Sequence, residues 1–327
     1  MSLIPAELAD YQGRKVLVAG GDGFIGYNCC RLLAALGADV TLISRHAQSR
    51  AAAHAGRTLR LDLGDRDALS PVVEGHDVVL DCVGASGAVE SNADPYRNFD
   101  IECRPHMNLF DACARAARPP AVVFLSSRLV YGRAIELPVR ETHRLAPASF
   151  YAVHKVTLEN YLEVFGRTRD LPFVILRVAN PYGPGPAELD KGYGVINQFI
   201  ARALDNAPIR VFGDGAQLRD YVYIDDLVRA ILGVALRAEC HGEVFNVGSG
   251  QGVSIARAID LIIRACGSSS PVEHVAWPEM ALKVESGDFV ADITKLDGVL
   301  GGAAMTPFGD GVAATIAATR SAAGCSA

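Results

Sequence analysis

Val16-Leu17-Val18-Ala19-Gly20-Gly21-Asp22-Gly23-Phe24-Ile25-Gly26 is the stretch that decides the fold. A short apolar run meets a glycine-rich turn, and an apolar-periodic segment from Tyr27 to Leu36 follows. Strand, tight turn and helix in that order make a dinucleotide site. Gly20 permits the turn, Gly23 lets backbone come close to a pyrophosphate, and Gly26 lets the helix pack on the strand. The first helical N–H groups, from Phe24 and Ile25 on, then face the phosphates. The spacing is Gly-x-x-Gly-x-x-Gly rather than Gly-x-Gly-x-x-Gly. Glycines alone are a weak signal, so the rest of the chain must supply their context.

At 327 residues the chain holds one large domain or two intimate ones. Half of it is apolar, and the net charge of -6 is mild. No basic patch points to nucleic acid, and the acidic balance argues against it. Met1 to Gly13 lacks a signal-peptide core, and no apolar run approaches membrane-spanning length. These features predict a cytoplasmic protein. The cysteines, Cys29, Cys30, Cys82, Cys103, Cys113, Cys240, Cys266 and Cys325, show no C-x-x-C spacing and mostly have apolar neighbours. They read as buried free thiols, and no Cys/His or H-E-x-x-H spacing suggests a metal.

Strand-like runs at Lys15–Ala19, Asp39–Ile43, Thr58–Leu61, Asp77–Asp81, Ala121–Ser126 and Phe173–Val178 alternate with helix-like segments at 25–37, 66–74, 96–117 and 150–167. That alternation predicts an α/β fold, a Rossmann-type doubly wound parallel sheet covered on both faces. Pro105 inside 96–117 predicts a late start or a kink. Asn180-Pro181-Tyr182-Gly183-Pro184-Gly185-Pro186 is a loop by composition. Beyond it come a helix near 194–204, a strand at 209–212, a helix near 224–236 and a strand at 243–247. We therefore divide the chain into a dinucleotide-binding domain, 1–179 with a returning segment 222–262, and a smaller C-terminal substrate-binding domain, 180–221 with 263–327. The Ala/Gly/Ser-rich end from Ala317 is expected to fray.

Tyr151-Ala152-Val153-His154-Lys155 is the second strong signal. The i, i+4 spacing puts Tyr151 and Lys155 on one helical face. A phenol ionises near pH 10 in water, too high for easy proton transfer. An adjacent ammonium favours the phenolate and brings that value down. The same lysine can hydrogen-bond a ribose. Ser127 follows a strand and is placed to bind a carbonyl or alcohol oxygen. His154 lies on a different helical face and reads as structural.

Together these residues resemble the extended short-chain dehydrogenases/reductases, and within them the nucleotide-sugar epimerase/dehydratase/reductase branch. Ala19 to Gly26 is similar to that branch's T-G-G-x-G-F-I-G, Ser127 falls in its S-x-x-V-Y-G, and Tyr151 with Lys155 in its Y-x-x-x-K. Asp62-Leu63 looks like its adenine-contacting pair. Leu176 to Gly185 resembles L-R-x-x-N-x-Y-G-P-G, Phe212 to Val222 resembles G-D-G…R-D-[FY]-V, and Phe245 to Gly250 resembles N-x-G-S/T-G. The resemblance implies that Tyr151 exchanges a proton with a sugar oxygen while a nicotinamide exchanges hydride at the attached carbon. Ser127 would hold that oxygen, and Lys155 would also anchor the nicotinamide ribose. Asn180 and Arg219 would hold the diphosphate, an assignment consistent with amide and guanidinium chemistry. Val195 and Phe212 join the expected substrate contacts. The resemblance also implies a homodimer through the helices near 96–117 and 150–167.

The departures carry as much weight. NAD-binding members usually end the second strand with an acidic residue. Here Ser44-Arg45 stands there, which predicts a hydrogen bond and a charge for a 2′-phosphate, hence NADP with NAD as the alternative. Arg128-Leu129 replaces the Asp-Glu pair of the 4,6-dehydratases, so elimination of water is disfavoured. Arg128 reads equally as a substrate contact or a solvent-facing charge. Cys82-Val83-Gly84-Ala85 replaces H-L-A-A, keeping small residues near the cofactor at Val83, Gly84 and Ala85. Glu102 and His106 stand in place of Asn and Thr, as a salt-linked pair or as substrate contacts. Glu285 stands where many members carry a diphosphate-binding arginine. Either Lys283 substitutes for that arginine or this part of the lid differs.

The expected activity is NADPH-dependent reduction of a keto group at C4 of a dTDP- or UDP-linked keto-deoxysugar. The alternative is a nucleotide-sugar 4-epimerase resembling UDP-glucose 4-epimerase. Epimerases of this branch regenerate a tightly held cofactor and generally use NAD, whereas a reductase consumes hydride. A cofactor sensor without catalysis would have lost the tyrosine or the lysine, and both are present.

Overall fold

The apolar runs become the buried strands of one parallel sheet. The structure is a computed structural model that describes residues 6–46, 49–84, 87–186, 194–302 and 304–324. Its first half runs β1 (Lys15–Ala19), α1 (Phe24–Ala35), β2 (Asp39–Ser44), β3 (Arg57–Arg60), α2 (Arg66–Val73), β4 (Val78–Asp81), α3 (Ala88–Ala93), α4 (Pro95–Arg115), β5 (Ala121–Ser127), α5 (Phe150–Arg169) and β6 (Phe173–Val178). The second half runs β7 (Asn180–Tyr182), α6 (Val195–Leu204), β8 (Ile209–Phe212), β9 (Leu218–Tyr223), α7 (Ile224–Ala235), β10 (Glu243–Val247), β11 (Gly252–Ser254), α8 (Ile255–Cys266), β12 (Val272–Val275), α9 (Glu279–Lys283), α10 (Thr294–Leu300) and α11 (Phe308–Gly324).

Seven strands pair in the order β10-β6-β5-β4-β1-β2-β3, every pair parallel. This is the Rossmann-type doubly wound sheet that the alternation predicts. Side-chain alternation explains its two covered faces. Val16, Val18, Val40 and Leu42 pack in one core with Phe24, Cys29 and Leu33 of α1 and with α7. Leu17, Ala19, Val79, Val122 and Phe124 face the other way, onto Leu109 and Phe110 of α4 and Leu158 and Leu162 of α5. Helix α4 runs unbroken from Pro95 to Arg115. The missing N–H of Pro105 leaves one interior carbonyl without its helical donor, and burial of Cys103, His106, Leu109 and Phe110 holds the helix regardless.

The C-terminal side is built from short pieces. A three-stranded sheet has the order β11-β9-β7, and β8 pairs with β12. Ser254 caps α8, whose Ala258, Ile259 and Ile262 are buried, and α8 packs on α6 and α11. Helix α11 extends to Gly324, through the stretch from Ala317 expected to fray. Asp220 fastens this side to the large sheet. Its carboxylate accepts from Ser249 N at 2.7 Å, Ser249 Oγ at 2.8 Å, Gly250 N at 3.1 Å and Ala291 N at 3.0 Å. No described helix is long and apolar enough to cross a membrane.

The glycine turn is sterically fixed. Gly20 has φ +80, and a Cβ there would sit 2.8 Å from the Cys82 carbonyl oxygen. A Cβ on Gly26 would come within 2.4 Å of the Gly20 oxygen and 2.7 Å of the Gly21 Cα. Neither contact is with a movable side chain. We expect Gly26→Ala to destabilise the protein by about 1–3 kcal/mol through overpacking, read as a shift of the urea midpoint. A midpoint equal to wild type would contradict the closeness of α1 to the turn.

Candidate active site

Side chains hold the start of α5. Ser149 Oγ accepts from Ala152 N at 3.3 Å, and Ser91 Oγ and Asn92 Oδ1 of α3 accept from the amides of Tyr151 and Phe150 at 3.1 Å each. Donors that a helix N-terminus would leave unmet are thereby satisfied. One turn apart on this anchored helix, Tyr151 and Lys155 face the carboxyl end of the sheet. Ser127 ends β5 and lines the same cavity walls as Tyr151. The structure thus brings together Ser127, Tyr151 and Lys155.

Lys155 is 2% exposed, and its Nζ lies 3.4 Å from Glu102 Oε2. It also stands 4.9 Å from the Phe124 ring centroid and 5.6 Å from that of Tyr151. Behind Glu102, His106 Nε2 is 4.0 Å from Oε2, while His106 Nδ1 meets Asp81 Oδ2 at 2.5 Å. Glu102 and His106 are therefore neither a simple isolated pair nor groups lining a cavity. They belong to a buried line from Asp81 at the end of β4 to Lys155. Burial by itself would lower the Lys155 pKa, but Glu102, Tyr151 and Asp81 outweigh it and hold the ammonium above its ordinary value. Burial raises the Tyr151 phenol, Lys155 pulls it down, Glu102 pushes it up, and the net direction is upward.

Two cavities meet at Ser127 and Tyr151. The first is lined by Gly23, Phe24, Ile25, Val83, Gly84 and Lys155. Its residues fit a dinucleotide: a Cβ on Gly23 would lie 3.2 Å from the Gly20 oxygen, and no side chain caps α1, as suits a pyrophosphate at a helix N-terminus. Ala85 lies outside the described residues. Asp62 is exposed, its carboxylate accepting from Gly64 N at 2.8 Å, and Leu63 is buried in the core under α2 and α4.

The end of β2 has an acidic neighbour. Ser44 Oγ, expected to meet a 2′-phosphate, donates to Asp22 in the glycine turn. Asp22 also accepts from Ser49 Oγ at 2.5 Å and Arg50 N at 2.9 Å. Burial would raise its pKa, but these hydrogen bonds prevail and hold the carboxyl below its usual value. An acidic group, Asp22, thus stands beside Ser44, and Arg45 is exposed.

The second cavity is lined by Arg128, Leu129, Asn180, Gly194, Val195 and Tyr221, among others. Asn180 donates from Nδ2 to the Asp220 carbonyl at 2.7 Å and accepts from Arg128 Nε at 3.2 Å. Arg219, expected to hold the diphosphate, is bound to protein groups. Its Nη2 is 2.5 Å from Glu285 Oε1, and its Nη1 donates to the Leu218 and Gly287 carbonyls. Lys283 pairs with Glu279 on the exposed α9. Phe212 is partly exposed, packs on Trp277 and is absent from both cavity walls. His154 hydrogen-bonds Asn98 of α4 at 2.8 Å.

Other supports escaped the sequence reading. Glu159, one turn beyond Lys155, pairs with Arg177 of β6 at 2.7 Å and accepts from Ser126 Oγ at 2.5 Å. That pairing locks α5 to β5 and β6. The i+8 spacing from Tyr151 to Glu159 was the available signal.

Residues 16–248 match the family described as "NAD dependent epimerase/dehydratase family". The chain is 28% identical over 278 residues to the UDP-N-acetyl-alpha-D-glucosaminuronate decarboxylase of Bacillus cytotoxicus, covering 82% of this chain and 85% of the relative. It is 35% identical over 142 residues to an Escherichia coli dTDP-4-dehydro-6-deoxyglucose reductase, covering 43% of this chain and 44% of the relative. Its structure is similar to UDP-glucose 4-epimerase of Thermotoga maritima solved with UDP-glucose, at a TM-score of 0.85, 25% identity, and coverage of 94% and 99%.

Glu102 opposes phenolate formation, so its neutralisation has a signed consequence. With Glu102→Gln, the Tyr151 pKa falls. The limb of the pH–rate profile that depends on the phenolate moves to lower pH. A purely structural role would change the rate or the melting temperature and leave that limb in place.

Proposed function

The chain belongs to the NAD dependent epimerase/dehydratase family, and from that premise we propose that it is a nucleotide-sugar 4-epimerase that recycles NAD. The observation that carries this reading is the Asp22 carboxylate at the end of β2. An ionised group there accepts from the 2′-OH of an adenosine ribose and repels a 2′-phosphate. NAD is therefore favoured over NADP, the reverse of what Ser44 and Arg45 suggest in isolation. A cofactor that is restored in each cycle suits epimerisation.

The bound nicotinamide supplies a reversible hydride acceptor. The protein supplies the rest. Ser127 holds the C4 oxygen of the sugar against Tyr151. Tyr151 takes the proton from that oxygen and later returns it to the same atom. Lys155 favours the phenolate while that proton is absent. Arg128 and Leu129 offer no acid/base pair for loss of water, so the keto sugar has no route onward to dehydration. The substrate is a UDP- or dTDP-linked hexose lying in the second cavity. The exposed apolar side chains of Tyr96 and Phe99 on α4, with Phe150, Val153, Tyr161 and Val164 on α5, support a homodimer through these helices.

A second reading, reduction of a C4 ketone on a nucleotide-linked deoxysugar with NADPH, draws on the likeness to the Escherichia coli reductase. The two differ in cofactor turnover. With NAD and UDP-linked sugars, C4 epimers should interconvert by NMR with no net change in reduced-nicotinamide absorbance. Stoichiometric loss of NADPH with a keto sugar nucleotide would reverse the assignment. Tyr151→Phe should lower kcat by on the order of 10²–10⁴ with NAD affinity retained. Asp22→Asn should shift the NADP-to-NAD affinity ratio toward NADP by about tenfold, measured by calorimetry.

A further inference from the structure

The second cavity holds a positive charge that the epimerase chemistry leaves without a role. Arg128 is 9% exposed and follows the catalytic Ser127 directly. Its Nη1 donates to Ser286 Oγ at 2.8 Å, its Nε donates to Asn180 Oδ1, and its guanidinium stands 5.4 Å from the Phe289 ring centroid. These partners are all neutral. Among the described residues no carboxylate pairs with Arg128, because Glu285 is taken by Arg219. The buried Asp220 carboxylate nearby is likewise committed, to the donors of Ser249, Gly250 and Ala291, so neither acid makes an ion pair with Arg128. Burial and the nearby Arg219 push the Arg128 pKa down to about 10, the direction expected of a cation short of a partner.

A second group on the same wall is unmet. Tyr221 is 2% exposed, and its hydroxyl has no hydrogen-bond partner among the described residues. Burial pushes its pKa up to about 12, so it remains a donor. Arg128 and Arg219 both act on it electrostatically, which places the hydroxyl among the cations. A buried donor without an acceptor costs roughly 1–3 kcal/mol. An anion with two acceptor oxygens in this cavity satisfies both groups at once.

We propose that the cavity is built for a hexose carrying a carboxylate, a hexuronate, with the acid group held by the Arg128 guanidinium and the Tyr221 hydroxyl. The proposal rests on the nucleotide-sugar reading above. Position supports a sugar acid over the diphosphate as the anion concerned. The cavity that Arg128 and Tyr221 line also opens on Ser127 and Tyr151, which handle the C4 oxygen. The C6 carboxyl carbon of a hexuronate is two bonds from C4.

The test is calorimetric titration of the NAD-loaded protein with UDP, UDP-glucose and UDP-glucuronate. Wild type should bind UDP-glucuronate about tenfold or more tighter than UDP-glucose. Arg128→Gln should erase that preference while leaving UDP affinity within about threefold. Tyr221→Phe, which removes only an oxygen, should reduce the preference severalfold, with a melting temperature equal to or above that of wild type. Equal affinity of wild type for the two sugars would overturn the proposal. So would a uniform loss for all three ligands in Arg128→Gln, which would reassign the guanidinium to the diphosphate. If the wild type binds none of the three, the nucleotide-sugar reading falls with it. If it binds and epimerises UDP-glucose without preferring the acid, only this proposal falls.

Discussion

A buried ammonium held between a carboxylate and a phenol is the constraint on which the site depends. Lys155 lies deep in the fold, 3.4 Å from Glu102, with Tyr151 on its other side. Desolvating one charge alone costs several kcal/mol, so the lysine needs a counter-charge to remain ionised. Glu102 supplies it, and at the same time it works against the lysine's influence on the phenol. Burial and Glu102 together outweigh Lys155 and leave the Tyr151 phenol above its ordinary pKa. Tyr151 is therefore mainly a protonated phenol at neutral pH.

The supports around the ammonium act through one helix. Tyr151, Lys155 and Glu159 follow at single-turn spacing on α5, and each meets a different part of the sheet. Glu159 with Arg177 and Ser126 fixes the helix against β5 and β6. Ser91 and Asn92 fix its first turn. Arg177 also donates to Tyr131 Oη at 3.1 Å, and Tyr131 in turn donates to Asn246 Oδ1 at 2.6 Å. The returning strand β10 is tied in this way to α5, the helix of Tyr151 and Lys155. Preorganisation of this kind keeps reacting atoms aligned without reordering during the reaction.

Much of this was legible in the chain itself. The sheet, the glycine turn and the Tyr-Lys spacing are local constraints, written in apolar runs and in residues four apart. The short pieces of the C-terminal side are harder to read, because strands of three residues carry too little periodicity. Helix α8 is an exception, since Ser254 followed by Ile255, Ala258, Ile259 and Ile262 announces a capped amphipathic helix. Charge pairing is where sequence reasoning ran out. Asp22 was visible in the turn, yet its partnership with Ser44 and Ser49 depends on how the loop after β2 folds back. Glu285 meets Arg219 from 66 residues away, and Asp81 reaches His106 only because β4 and α4 are neighbours. Tertiary proximity, not residue type, decided which charges were available.

The clasp at Asp220 bears on the rigidity of the fold. One carboxylate joins β9, the turn after β10 and the segment before α10 through four donors. Hydrogen bonds to a charged acceptor contribute roughly 1.5–3 kcal/mol each. Swinging the two halves apart would break them together. The clasp thereby stiffens the fold against a clamshell motion.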